Sequence, residues 1–175
     1  MDAAQQPVLV IMGVSGSGKS TVAGILAGRL GWDLEEGDDL HPASNVAKMA
    51  AGEPLTDEDR RPWLDRVAEW IHAHTAAGRP GIITCSALKR SYRDRLRGDH
   101  VVFVYLAGSR EVLAQRLAAR TGHFMPAALL DSQLAALEPP GDDENALTVE
   151  IGRRAADEAG DVIARLGRNA SAIGY

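Results

Sequence analysis

Cysteine is almost missing from this 175-residue chain, where Cys85 stands alone. One thiol cannot close a disulfide within the chain, so the fold must be held by its core, and a reducing compartment is the simpler setting. Long apolar runs are missing as well: none approaches the about 18 residues of a membrane-spanning helix, and Met1–Pro7 lacks the basic-then-apolar pattern of a signal peptide. These absences predict a cytoplasmic protein with no membrane partner. Basic excess is also lacking. A net charge of −5 argues against a general nucleic-acid binder and leaves small anions, taken up in a local basic cleft, as the expected partners. No repeat and no domain linker interrupts the chain, which predicts one domain over 1–175 with loose ends at 1–6 and 168–175. With 45% hydrophobic and 25% charged residues the composition is ordinary for a globular protein, and the length suffices to bury about 70% of the unfolded surface.

What the chain does contain is Gly13-Val14-Ser15-Gly16-Ser17-Gly18-Lys19-Ser20-Thr21, directly after the apolar run Val8–Met12. The spacing is that of the phosphate-binding P-loop G-x-x-x-x-G-K-[ST], and a strand before it and a helical pattern after it supply the required context. Gly13, Gly16 and Gly18 let successive N–H groups turn inward toward phosphate oxygens, and the helix N-terminus that follows adds partial positive charge. Ser15 and Ser17 line the same cradle. Lys19 is placed to reach the β- and γ-phosphates, Ser20 to bind Mg²⁺ and Thr21 to bond the α-phosphate. ATP or GTP is the expected ligand.

Periodicity and caps then divide the chain. Strands are predicted at 8–12, 32–36, 82–85, 101–106 and 146–151. Helices are predicted at 19–30, 43–51, 57–77, 91–97, 110–120, 127–137 and 153–166, with Thr56 and Ser109 as N-caps. Strands alternating with helices predict a three-layer α/β/α fold on a five-stranded parallel sheet. Asp38 and Asp39 then fall just beyond the carboxyl end of the second strand, where such sheets place their ligands. The third strand, ending Thr84-Cys85, lacks the aspartate that many P-loop proteins use on Mg²⁺, so the metal would rest on Ser20, phosphates, waters and Asp38 through water. Trp63 is expected in the core rather than against a sugar, and Cys85 as a buried structural thiol. Asp157-Glu158-Ala159-Gly160 matches the GTPase D-x-x-G, but it lies late on a helical pattern without a guanine-reading N-K-x-D, and is taken as chance.

Several further segments carry a resemblance. They are Glu36-Gly37-Asp38-Asp39-Leu40-His41-Pro42, Asn45 with Lys48-Met49, Pro54-Leu55 with Asp57 and Asp59-Arg60, Pro62-Trp63-Leu64, Cys85-Ser86-Ala87-Leu88-Lys89-Arg90, Tyr92-Arg93-Asp94, His123-Phe124-Met125-Pro126 and Ser132-Gln133. With the P-loop, these resemble the gluconate kinases, a branch of the P-loop kinases related to shikimate and adenylate kinases. The resemblance implies a helical substrate flap, a short lid at about 121–137, and a homodimer. It also implies ATP-dependent phosphorylation of the small molecule D-gluconate at its terminal hydroxyl. Asp38 would orient the acceptor hydroxyl, with Lys19 and Arg120 as its catalytic partners. Arg116 and Arg120, one helical turn apart, would serve the adenine and the phosphates. His41, Lys48, Arg60, Ser86, Lys89, Arg93 and His123 would line the substrate pocket, whose carboxylate and hydroxyls call for cations and hydrogen-bond donors. A shikimate- or nucleotide-type kinase of the same fold, and a non-catalytic nucleotide switch, are the rival readings.

Overall fold

The structure, a computed structural model, describes residues 5–119 and 127–173. Five strands, β1 (Val8–Met12), β2 (Asp33–Glu36), β3 (Gly81–Thr84), β4 (Val101–Ala107) and β5 (Ala146–Glu150), form one parallel sheet in the order β2-β3-β1-β4-β5. β1 is the central strand and fully buried, so its residues alternate between two cores. Leu9 and Ile11 join the core built with Val22, Leu26, Leu113 and Val162, while Val8, Val10 and Met12 join that of Trp63, Leu64, Val67 and Phe103. These are the two outer layers of the expected α/β/α sandwich.

The helices are α1 (Lys19–Leu30), α2 (Ala43–Ala50), α3 (Asp57–Ala76), α4 (Arg90–Leu96), α5 (Arg110–Ala119), α6 (Ala127–Ala136) and α7 (Ala155–Ile173), with a 3-10 turn at Gly37–Leu40. Gly31 ends α1 in the left-handed region at φ 70°, its N–H donating to Ala27 O at 2.8 Å. Thr56 starts α3 through a reciprocal capping box: Asp59 N–H donates to Thr56 Oγ1 at 3.1 Å and Thr56 N–H to Asp59 Oδ2 at 2.9 Å. Ser109 Oγ accepts from Val112 N–H at 3.2 Å, the predicted cap of α5.

The carboxyl end of the chain corrects an expectation. Helix α7 does not stop before Gly167 but continues to Ile173. A glycine inside a helix costs about 1 kcal/mol, and α7 carries Gly167 through at that cost. Residues 1–4 and 174–175 of the expected loose ends lie outside the described residues. Gln5, expected to be frayed, donates through Nε2 to Thr75 O at 2.9 Å. No helix among the described residues is long and apolar enough to cross a membrane.

Candidate active site

β1 leads through α1 to β2 on one side of it, while its neighbour β3 leads through α4 to β4 on the other, so the two connections diverge and open a crevice at the carboxyl ends of β1 and β3. The phosphate loop occupies that crevice. Gly16 and Gly18 have φ of 84° and 93°, and a Cβ on Gly16 would come within 2.9 Å of Leu117, so both the backbone twist and the packing demand glycine. Lys19 Nζ folds back over the loop, donating to Gly13 O at 2.9 Å and Val14 O at 3.1 Å. Ser17 Oγ is buried with no hydrogen-bond partner among the described residues. A buried hydroxyl without a partner beneath a glycine-rich loop that runs into the N-terminus of α1 suits an oxyanion ligand.

One functional residue was not anticipated. Glu36, at the carboxyl end of β2, receives two hydroxyl protons on the same oxygen, Oε2: from Ser20 Oγ at 3.0 Å and from Thr84 Oγ1 at 2.6 Å. Thr84 in turn accepts from Gly37 N–H at 3.2 Å. The carboxylate missing at the end of β3 is thus supplied by its neighbour β2, where Glu36 stands in register with Thr84. The signal was available only through strand pairing. Ser20 and Glu36 are hard oxygen donors that fit Mg²⁺, an ion that keeps waters and phosphate ligands.

Asp38 lies one residue beyond Gly37, exposed, in the 3-10 turn. That turn is fastened to α3: Trp63 Nε1 donates to Gly37 O at 2.8 Å and Arg66 Nη1 to Leu40 O at 3.1 Å. Trp63 is 2% exposed, a core residue as expected, with the His41 ring stacked on it at 4.4 Å and 12°. Asn45 Nδ2 can only donate, so His41 Nδ1, 3.2 Å away, accepts, and the ring proton sits on Nε2. Burial pushes the His41 pKa down, against the pull of Asp38, so the neutral ring is favoured.

The expected substrate cations Lys48, Arg60 and Lys89 gather about the start of α3, each already partnered. Lys48 Nζ donates to Asp59 Oδ2 at 2.7 Å, which holds the Asp59 carboxyl down at about 2. Lys89 Nζ donates to Asp57 Oδ1 at 3.1 Å, the Tyr92 hydroxyl donates to the same oxygen, and Arg60 Nη1 reaches Tyr92 Oη at 3.2 Å. The hydrogen bonds from Tyr92 and then Lys89 lower the Asp57 pKa, and the bond to Asp57 raises that of Lys89.

Arg93 departs from expectation. Its side chain is 1% exposed and spent: Nε and Nη2 donate to Glu144 at 2.6 and 3.2 Å, and Nη1 donates to Ala87 O at 2.8 Å and Leu88 O at 3.3 Å. It braces the β3–α4 loop from beneath instead of facing a ligand. The brace has a strained object, because Ala87 sits at φ 46°, a conformation that costs a non-glycine residue about 1–2 kcal/mol. Ser86 and Lys89 are thereby presented from a preformed loop, and Ser86 O accepts the Gly13 N–H at 3.3 Å, joining that loop to the phosphate cradle. Arg116 stands where expected, beside the cradle, with Nη1 donating to Ser17 O at 3.4 Å and Nη2 3.7 Å from the buried Glu158. Arg120 and His123 lie outside the described residues, as does 121–126 of the expected lid.

The chain is similar to known proteins in sequence and in fold. Residues 8–140 match a family described as AAA domain. A gluconokinase of Gluconobacter oxydans is 58% identical over 143 residues, covering 81% of this chain and 80% of its own. The chain belongs to the gluconokinase family. The thermosensitive gluconokinase of Escherichia coli is 46% identical over 145 residues, 81% of this chain and 78% of that one. Among solved structures, a gluconokinase from Sinorhizobium meliloti superimposes with a TM-score of 0.89 at 43% identity, covering 98% of this chain and 97% of that one. A shikimate kinase from Aquifex aeolicus reaches 0.64 at 14% identity, over 95% and 99% of the two chains, which is likeness of fold alone.

Proposed function

We propose that the protein transfers the γ-phosphoryl group of ATP to the terminal hydroxyl of D-gluconate, giving ADP, 6-phospho-D-gluconate and a proton. The observation that carries this reading is the convergence of the phosphate loop, the Glu36–Pro42 turn and the Cys85–Lys89 loop at one end of the sheet, in a chain 58% identical to a gluconokinase. Phosphoryl transfer asks chiefly for positioning and charge stabilisation. Loop N–H groups and Lys19 hold the phosphates. Ser20 and Glu36 would hold Mg²⁺, which when bound neutralises charge on the β- and γ-phosphates. Asp38 orients the acceptor hydroxyl and takes its proton as the new phosphate ester forms. His41 offers a neutral Nε2–H donor, and Lys48, Arg60, Lys89 and Ser86 offer charge and hydrogen bonds to the sugar acid. Arg116 serves the nucleotide from beside Ser17, and Arg120 and His123 extend the proposal to the lid. A homodimer acting in the cytoplasm on a free small molecule, without nucleic acid or membrane, completes the reading and is supported by the family resemblance and the net charge of −5.

The test is ADP release from Mg-ATP with gluconate, shikimate, AMP or no acceptor, repeated with Asp38→Ala. Release dependent on gluconate, abolished in Asp38→Ala while ATP binding persists, is expected. Release without acceptor preference would mean an ATPase or a nucleotide switch, and unchanged turnover in the variant would remove Asp38 from its role.

A further inference from the structure

Across the mouth of the phosphate loop lies a contact that the reaction as described does not use. Ser15, third residue of the loop, donates its N–H to Gln133 Oε1 at 2.8 Å, and Gln133 Nε2 donates to Ser15 Oγ at 3.0 Å, joining residues 118 apart. The orientation of this carboxamide is dictated by chemistry: a main-chain N–H can only donate, so the amide atom facing it is the oxygen, and the NH₂ group is the one turned toward the Ser15 hydroxyl. One of its two protons is spent on Oγ. The other leaves a donor at the edge of a cradle built for phosphate oxygens.

The support behind Gln133 is stiff. It stands on α6, whose Leu130 is 2% exposed in the core. Arg110 of α5 donates from Nε to Asp131 at 2.6 Å, and the chain leaving the helix is pinned by Glu138 N–H donating to Leu88 O at 2.8 Å. Among the described residues, Ser15 is the one member of the loop whose N–H donates to a side chain. Ser15 N–H holds the amide oxygen and so keeps the NH₂ group beside the loop, and a hydrogen bond from that group to a charged phosphate oxygen outweighs the one it makes to a neutral hydroxyl.

We propose that Gln133 is a γ-phosphate-binding residue: Ser15 N–H holds its amide oxygen, and its NH₂ group passes from Ser15 Oγ to the γ-phosphate when ATP, but not ADP, fills the loop. The inference rests on the reading of the loop as a nucleotide site. It makes Gln133 the group that distinguishes the triphosphate from the diphosphate.

The experiment is calorimetric titration of the full chain with Mg-ADP and with the non-hydrolysable Mg-AMPPNP, for the native protein, Gln133→Ala and Gln133→Glu, alongside kcat, KM and Tm. Loss of a hydrogen bond to a charged group corresponds to a weakening of roughly tenfold to a hundredfold. Gln133→Ala is expected to weaken AMPPNP by about tenfold with ADP held within about twofold. Gln133→Glu, which keeps the acceptor for Ser15 N–H but sets a carboxylate against the phosphate, is expected to weaken AMPPNP further. Equal losses for both nucleotides, with a lowered Tm, would make the contact a structural tie and overturn the inference, as would unchanged binding of AMPPNP. Failure of the native protein to bind either nucleotide would instead overturn the nucleotide reading itself.

Discussion

Gly37 is the residue whose replacement tests the architecture of the site most directly. It lies between Glu36 and Asp38, it is buried, and its N–H and C=O are both committed, to Thr84 Oγ1 and Trp63 Nε1. A Cβ built there falls against the carbonyl oxygen of Thr84, closer than the 3.0 Å that Cβ atoms keep, and 3.2 Å from the carbonyl carbon. The obstacle is backbone in the sheet, not a side chain that can swing away. Relief requires the 3-10 turn to move away from β3 by on the order of 1 Å, and a displacement of that size at reacting groups costs about a hundredfold in rate. Overpacking of this kind also costs about 1–3 kcal/mol of stability, which for a chain of this length lowers Tm by roughly 2–4 °C per kcal/mol. For Gly37→Ala the expected outcome is a folded protein with Tm lowered by several degrees and gluconate-dependent kcat down about a hundredfold. Coupled-assay kinetics and a thermal melt measure both. Retention of kcat within threefold of the native value would refute the claim that the Gly37–Thr84 approach sets the position of Asp38.

Two further outcomes follow from the same geometry. Glu36→Ala removes the acceptor shared by Ser20 and Thr84, and since partners that orient a metal ligand are worth about 10–100-fold in affinity, the Mg²⁺ concentration for half-maximal activity should rise by about tenfold or more in a metal titration. Asp59 has its folded pKa depressed from 3.8 to about 2 by Lys48 and the Thr56 N–H, so its contribution is complete above pH 3.8 and is lost as pH falls through about 2. Melts from pH 5 to pH 2 should therefore show a steeper loss of stability in the native protein than in Asp59→Asn, and parallel curves would contradict the pairing.

These expectations differ in how they could be reached. The phosphate loop is legible because its chemistry is local: nine consecutive residues set the twist, the donors and the start of α1. Thr56 and Asp59 are legible for the same reason, three residues apart at a helix start. Glu36 was not, because nothing in Asp33–Glu36 says that it will lie in register with Thr84 or face Ser20; that is decided by which strand becomes the neighbour of β3. Arg93 misled in the other direction. In the basic stretch Arg90–Arg97 it reads as a cation for the substrate pocket, and only the arrival of Glu144, 51 residues later, takes it into the interior. Gln133 was visible as part of a family segment, but its contact with Ser15 depends on α6 packing across the loop. Gly167 shows that a glycine after a helical pattern does not by itself end the helix.

The solitary cysteine has a practical consequence. Cys85 is 1% exposed and its burial pushes the thiol up to about 12, so at neutral pH it is neither reachable nor nucleophilic. The natural chain is in effect silent toward thiol reagents. Cysteines introduced in pairs, one on the exposed face of α2 and one on α7, could carry spin labels or fluorophores without first mutating the core, and distances between them would then report how the substrate side and the nucleotide side move relative to each other during a single turnover.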